Sequence, residues 1–365
     1  MQSQPMPDPD KFAIGAIFKN ERPYILEWIA FHRTIGIKKF LIGDNDSTDG
    51  SKDLLRLLDL AGIIHYFDFP SEPGVKPQLQ CYSKILKLAK DLGLEWVAFI
   101  DADEFLMPES VEMDFFSCIQ KPVSQQDTGA VAINWAIYGS SGLVERHDGL
   151  VLKDFTKRAT ADFPGNLHYK SLVKLEAVSG VSGSPHHFLL TTGFKYKNAQ
   201  GLELENHLQN GIGYSSNFID KPIIINHYAI KSKGEFLKNK SLKGSAASPG
   251  AIKKEAYFKY HDRNDEYAPC NSRYIEKIII EIAELESYIN IISKFYIRLK
   301  NLIVSDSFRL LKAYIFNSQE LNKELPEYFN PLHYLLLNPD VFIAGADPVQ
   351  HYLEFGKKEN RKYQL

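Results

Sequence analysis

The chain has 365 residues, 44% of them hydrophobic and 24% charged, with 43 Lys and Arg set against 45 Asp and Glu for a net charge of −2. That length suffices for a full core and more than one folded unit, and so balanced a charge excludes bulk nucleic-acid binding. Three widely spaced cysteines (Cys81, Cys118 and Cys270) fit neither a disulfide framework nor a zinc site, and no apolar run approaches the roughly twenty residues of a membrane span.

Residues 1–11 are polar, carry three prolines and lead straight into the first apolar run, unlike a signal peptide. A cytoplasmic protein is therefore expected. Residues 12–18 read as a buried strand. Residues 21–35 place Ile25, Trp28 and Ile29 at helical spacing, with Pro23 near the first turn, where proline is tolerated. A second strand is predicted over 39–43 and a second helix over 51–60. A third strand (63–69), a third helix (79–92) and a fourth strand (96–100) complete the series. Repeated strand–helix units imply an α/β fold around a mostly parallel sheet with covered faces. In such sheets ligands sit beyond the carboxyl ends of the strands.

Polar clusters fall at those ends. Lys19-Asn20-Glu21 follows the first strand, Asp44-Asn45-Asp46-Ser47-Thr48-Asp49-Gly50 the second, and Asp101-Ala102-Asp103-Glu104 the fourth. Asp49 and Ser51 are natural helix caps and Gly50 a turn residue, and Asn20 and Glu21 could also be caps. Asp44, Asn45 and Asp46 are more than a turn requires. On an extended chain Asp101 and Asp103 point the same way and could aim together at one hard cation, which takes oxygen ligands and keeps positions for substrate phosphates. That is the chemistry of holding a nucleotide diphosphate.

A further strand is predicted over 130–136, running into Trp135-Ala136-Ile137-Tyr138-Gly139-Ser140-Ser141-Gly142. A flat ring beside a Gly/Ser loop suits stacking against a sugar, although a core tryptophan followed by a tight turn has the same pattern. His168-Tyr169-Lys170-Ser171 and His186-His187 follow. His227 then ends an apolar strand (222–225) and precedes Lys231 and Ser232. An imidazole there could complete a carboxylate metal site, with the lysine serving a diphosphate.

Read together, Phe18-Lys19-Asn20-Glu21, Glu27-Trp28-Ile29-Ala30-Phe31-His32, Ile35-Gly36, the Asp44–Gly50 cluster, Asp101-Ala102-Asp103-Glu104-Phe105, Trp135 with Gly139-Ser140-Ser141-Gly142, Lys170-Ser171, and Asn226-His227-Tyr228 with Lys231-Ser232 resemble glycosyltransferase family 92 and its bacterial relatives. The series covers about residues 12–240 in order. The resemblance implies a GT-A fold and an inverting, metal-dependent transfer of a hexose, galactose or a relative, from a UDP-sugar to a glycan hydroxyl, with Mn2+ or Mg2+ as cofactor. It implies Asp101, Asp103 and His227 as metal ligands, and Asn20, Asp44 and Asn45 beside the nucleotide. Glu21, Asp46, Lys170 and Lys231 are expected near the donor.

Departure of the diphosphate leaves negative charge that a cation must stabilise. The acceptor hydroxyl must lose its proton to a nearby Asp, Glu or His. The loop after Trp135 offers Glu145, His147 and Asp148; Asp148 is the first expectation and Glu145 the second, against a loop that is merely solvated. Residues 1–240 are thus read as the catalytic domain and 241–272 as a loop-rich connection. Residues 273–323 are read as helical, with helices over 274–300 and 306–316 that could pair two chains. The end, 324–365, resembles a small helical module appended to many bacterial glycan enzymes, which points to surface-polysaccharide synthesis, with peripheral membrane association an option. Two other readings stand beside this one. A sugar-1-phosphate nucleotidyltransferase would need a glycine-rich loop where Phe18-Lys19-Asn20-Glu21 stands, and a non-catalytic glycan-binding scaffold would have no use for carboxylates gathered on one rim.

Overall fold

The apolar run FAIGAIF is buried along nearly its whole length as β1 (Phe12–Phe18), the first strand of a large sheet. In this computed structural model the described residues are 6–70, 77–145, 149–207, 211–242, 253–302, 325–326, 329, 331–338, 340–341, 344 and 346–363. After β1 come α1 (Ile25–Thr34), β2 (Phe40–Asp44), α2 (Ser51–Leu60), β3 (His65–Asp68), α3 (Pro77–Asp91) and β4 (Trp96–Phe99). All seven predicted elements form, with ends shifted by a few residues. The shift is largest in α1, which begins at Ile25 because the segment after Asn20 is spent on a turn, with Tyr24 N–H donating to the Glu21 carbonyl.

The chain continues through β5 (Glu104–Pro108), α4 (Phe115–Val123), β6 (Thr128–Ile137), the single-turn α5 (Val151–Asp154) and β7 (Lys157–Arg158). Then come β8 (Tyr169–Lys174), β9 (Val178–Val181), β10 (Phe188–Leu190), β11 (Lys195–Asn198), β12 (Asn206–His207), β13 (Gly211–Ser215) and β14 (Ile223–His227). Two short helices, α6 (Lys233–Lys238) and α7 (Glu255–His261), and β15 (Glu266–Tyr267) precede the long α8 (Ser272–Leu302). Within 241–272, read from the sequence as a loop-rich connection, the described residues form α7 and β15.

The main sheet has the order β3-β2-β1-β4-β8-β6-β14-β5, with β11 also on β6. β3, β2, β1 and β4 run parallel, as do β6 with β14 and β6 with β11. β8 is antiparallel to both its neighbours, and β5 is antiparallel to β14. This is the mostly parallel, Rossmann-like α/β arrangement expected of a GT-A fold. Its core joins α3 to the sheet through Cys81, Tyr82, Ile85, Val97 and Phe99. Gly43 permits the close approach of β2 and α3, since a Cβ there would lie 2.7 Å from Cys81 Sγ.

The chain divides into two compact units, 1–55 with 64–283 and 56–63 with 284–365. In the second unit α9 (Pro331–Leu337) and α10 (Pro348–His351) build a small core of Tyr334, Leu335, Val341 and Tyr352. Asn338 closes it by donating to the Tyr334 and Lys362 carbonyls. The helix predicted over 306–316 lies outside the described residues. No helix among them is long and apolar enough to cross a membrane.

Candidate active site

The Asp101–Glu104 motif leaves the carboxyl end of β4 as a tight turn, not as the extended segment its spacing suggested: Glu104 N–H donates to the Asp101 carbonyl at 3.1 Å. The two aspartates consequently keep different company. Asp101 accepts from Gln78 Nε2 at 2.7 Å and pairs with Lys170 Nζ at 2.9 Å. Asp103 pairs with Lys240 and lies 3.6 Å from His227 Nε2.

Helix α1 holds this turn in place. Trp28 Nε1 donates to the Glu104 carbonyl at 2.9 Å and to that of Asp101 at 3.1 Å. His32 takes the Leu106 N–H on Nε2 at 3.2 Å while Nδ1 meets the Trp28 carbonyl. Burial lowers the His32 imidazole to about 3, so it stays neutral as the acceptor that this bond needs. One turn earlier, Glu27 accepts the N–H groups of Val151 and Leu152 at 2.8 and 2.9 Å and so caps α5. The three polar residues of Glu27-Trp28-Ile29-Ala30-Phe31-His32 thus fasten two loops to one helix. The spacing i, i+1, i+5 gave no hint of those distant partners.

His227 reaches Asp103 through strand register. β14 pairs with β5 so that His227 lies opposite Glu104, and Tyr228 N–H donates to the Asp103 carbonyl at 2.9 Å. Burial drives the His227 imidazole well below its usual value, against the pull of Asp103. Burial opposes ionisation of Asp103 as well, but Lys240, His227 and Lys231 hold its carboxyl far below the ordinary range. Beneath the turn, Lys170 is almost wholly enclosed between Asp101 and Glu104, 3.7 Å from the latter. Burial disfavours its charge, yet those two carboxylates raise its affinity for the proton. Glu104 is pushed well above its usual value by burial, with Asp101 and Asp103 adding to the effect.

Asp103, His227 and Lys240 open onto a cavity of about 470 Å3, which Glu21, Asp101, Lys19, Trp135 and Tyr257 also line. Asn20, Asp44, Asn45, Asp46, Lys170, Lys231 and Glu145, also predicted, are not among the residues that line it. Asn20 and Asp46 take positive φ angles of 54° and 53°. Asn20 Oδ1 accepts from Thr48 N–H, and Asp44 Oδ2 from Ser47 N–H, so both brace the turn after β2. Asn45 donates to the Phe69 carbonyl. Asp44 Oδ1 is buried and has no partner among the described residues, which leaves one acceptor for a ligand. Lys231, at φ 53°, lies 4.1 Å above the Tyr24 ring; burial lowers its pKa while Glu21 and Asp103 work the other way. Ser232 caps α6 in a reciprocal box with Glu235. Glu145 is exposed and pairs with Lys238 at 3.2 Å, away from the cavity wall. Asp148 and His147 lie outside the described residues.

The Gly139–Gly142 loop also has a plain structural duty. A Cβ on Gly139 would lie 2.3 Å from the Arg263 carbonyl oxygen, and the N–H groups of Ser140 and Ser141 donate to Asp262 and Asn264. Trp135, just before it, does face the cavity.

As a cation site the cavity offers an anionic oxygen on Asp103 and a neutral imidazole nitrogen on His227, a donor pair that suits a divalent ion completed by phosphate oxygens. Asp101 is engaged instead by Gln78 and Lys170, and no cluster of three or more His, Cys, Asp or Glu side chains converges among the described residues.

A family model for glycosyltransferase family 92 matches residues 13–138. A glycosyltransferase family 92 protein of Oryza sativa subsp. japonica is 27% identical over 219 residues, 56% of this chain and 36% of that protein. One of Ricinus communis is 29% identical over 203 residues, 54% and 35% of the two chains. The chain thus spans about a third of the length of these plant relatives. A crystal structure of S. aureus TarS 1–349 aligns with a TM-score of 0.30 and 16% identity over 46% of this chain and 48% of that one, too loosely to carry an argument. The resemblance read from the sequence holds over the first third of the chain: residues 13–138 match glycosyltransferase family 92.

Proposed function

We propose that this protein is a glycosyltransferase that moves a hexose from a UDP-sugar to a hydroxyl of a glycan acceptor. One observation carries the reading: the region matching the family supplies the Asp101–Glu104 turn, and that turn opens on a cavity with lysines beside a carboxylate. The diphosphate would lie against Lys19, Lys240 and Lys253, whose charges offset what develops as the anomeric bond breaks. Asp103 and His227 would hold Mn2+ or Mg2+, which when bound supplies further positive charge to the leaving diphosphate. Lys170 is assigned a different duty from the one its sequence suggested, keeping Asp101 and Glu104 in place from below. Lys231 stays close enough to act on Asp103. For the proton of the acceptor hydroxyl we retain Asp148 as the base. The tail's likeness to a module of bacterial glycan enzymes supports a role in polysaccharide assembly.

The test is donor hydrolysis and calorimetry across UDP- and GDP-sugars, with Mn2+ and again with chelator. Binding and slow hydrolysis of one UDP-hexose, both strengthened by Mn2+, is the expected result. A protein that binds no nucleotide sugar in either condition would overturn the reading.

A further inference from the structure

The cavity at Asp103 changes character across its width. On one side stand ionisable groups, among them Lys19, Asp103 and Lys240. The other is walled by Trp135, His168, His186 and Tyr214, with no carboxylate, lysine or arginine among them. These rings form one packed group. Tyr214 lies 3.8 Å from His168 between ring centroids, and Trp135 lies 4.6 Å from His168 and 5.0 Å from His186. His227 joins the two sides, its ring 4.2 Å from Trp135 and its Nε2 3.6 Å from Asp103.

The imidazoles are kept uncharged. Burial lowers His168 to about 4 and His186 well below its usual value, and Lys170 behind them works in the same direction. His186 is fixed by its Nδ1 contact with the Tyr169 carbonyl at 2.9 Å. Trp135 Nε1, His168 Nδ1 and His227 Nδ1, in contrast, have no hydrogen-bond partner among the described residues. A buried polar atom left unpaired is destabilising, and native proteins keep few of them without a reason. Flat apolar faces edged with unused nitrogen atoms complement a pyranose, which has an apolar C–H face and a rim of hydroxyls.

We propose that Trp135, His168, His186 and Tyr214 form the subsite for the transferred sugar, and that they select a neutral pyranose over one bearing a carboxylate. This rests on the nucleotide-sugar reading above. The orientation follows from His227: a group attached to a diphosphate held on the lysine side must next meet the ring wall. The selection follows from the cost of burying a charge with nothing to pair it.

The test compares UDP, UDP-glucose, UDP-galactose and UDP-glucuronate by calorimetry on wild type, Tyr214→Leu and His168→Phe, with Tm as a check on folding. In the wild type a neutral UDP-hexose should bind at least tenfold more tightly than UDP-glucuronate. Both variants should keep UDP affinity within about twofold and weaken the neutral UDP-hexose at least fivefold. UDP binding with sugar affinities unchanged in both variants overturns the subsite alone, as does a change confined to the acceptor's KM. If UDP itself fails to bind the wild type, the nucleotide-sugar reading falls first and takes the subsite with it.

Discussion

His227 Nε2 and Asp103 Oδ1 stand 3.6 Å apart because β14 runs antiparallel to β5 in a register that sets His227 opposite Glu104. The pair is thus a product of backbone hydrogen bonding between segments remote in sequence, and a change to either side chain leaves the strands paired. Asp103→Asn should therefore weaken Mn2+-dependent binding of the donor at least tenfold, about 1.4 kcal/mol, with far-ultraviolet circular dichroism unchanged. His227→Ala should do the same. Calorimetry that returns wild-type affinity in both variants would remove these residues from the donor site.

Lys240 occupies one oxygen of Asp103, so it and a divalent ion compete for the same carboxylate. In Lys240→Met that oxygen is released. Mn2+ should then raise Tm at a concentration at least threefold lower than in the wild type, while donor hydrolysis slows because a cation has been lost from beside the diphosphate. Unchanged Mn2+ dependence of Tm would mean that the ion does not use Asp103.

Much of the framework is legible in the chain and some of the site is not. β1, β2, α2 and β4 are bounded by short apolar runs and turn residues, and their parallel pairing follows from the alternation. β8 escapes notice because Lys170 and Ser171, both buried, break the apolar pattern of a central strand. β5 is hidden directly behind the acidic motif, so the motif looks like a strand end when it is a turn between strands. Lys240 lies in a Lys/Gly/Ser-rich stretch that resembles a solvated loop, and only the fold brings it to Asp103. His168, His186 and Tyr214 gather for the same reason: each is an ordinary residue locally and a wall collectively.

The proposed base is tested by Asp148→Asn and Glu145→Gln side by side. Loss of a general base costs about 100- to 10,000-fold in rate, so Asp148→Asn should lower transfer by that order while donor affinity stays within about twofold. Glu145, exposed and paired with Lys238, should tolerate Gln with transfer within about twofold. The reverse pattern would move the role to Glu145.

Lys170 is enclosed with Asp101 and Glu104, and removing one partner of a buried pair costs about 3–5 kcal/mol. Lys170→Met should lower the unfolding free energy by that amount in urea denaturation. Asp101→Asn added to it should recover part of the loss, because the carboxylate that pairs with the lysine at 2.9 Å is then neutral. A single variant as stable as the wild type would show that the lysine is not holding the turn.

Glu27 provides a pH dependence whose sign is fixed by burial. Burial raises its carboxyl from an ordinary 4.5 to about 7, against the two N–H groups of Val151 and Leu152 that favour the anion. The folded protein therefore binds this proton more tightly than the unfolded chain does. The stability it contributes is fully present below about 4.5 and is lost as pH rises through about 7. A shift of that size corresponds to roughly 3 kcal/mol. Glu27→Gln cannot titrate, so unfolding free energies measured from pH 4.5 to 8 should fall less steeply in the variant than in the wild type. The two curves should converge or cross toward pH 8, even though the amide gives up one of the two backbone bonds and starts lower at pH 5. Curves that stay parallel over the whole range would mean that Glu27 is ionised throughout and that the N–H pair, not burial, sets its charge.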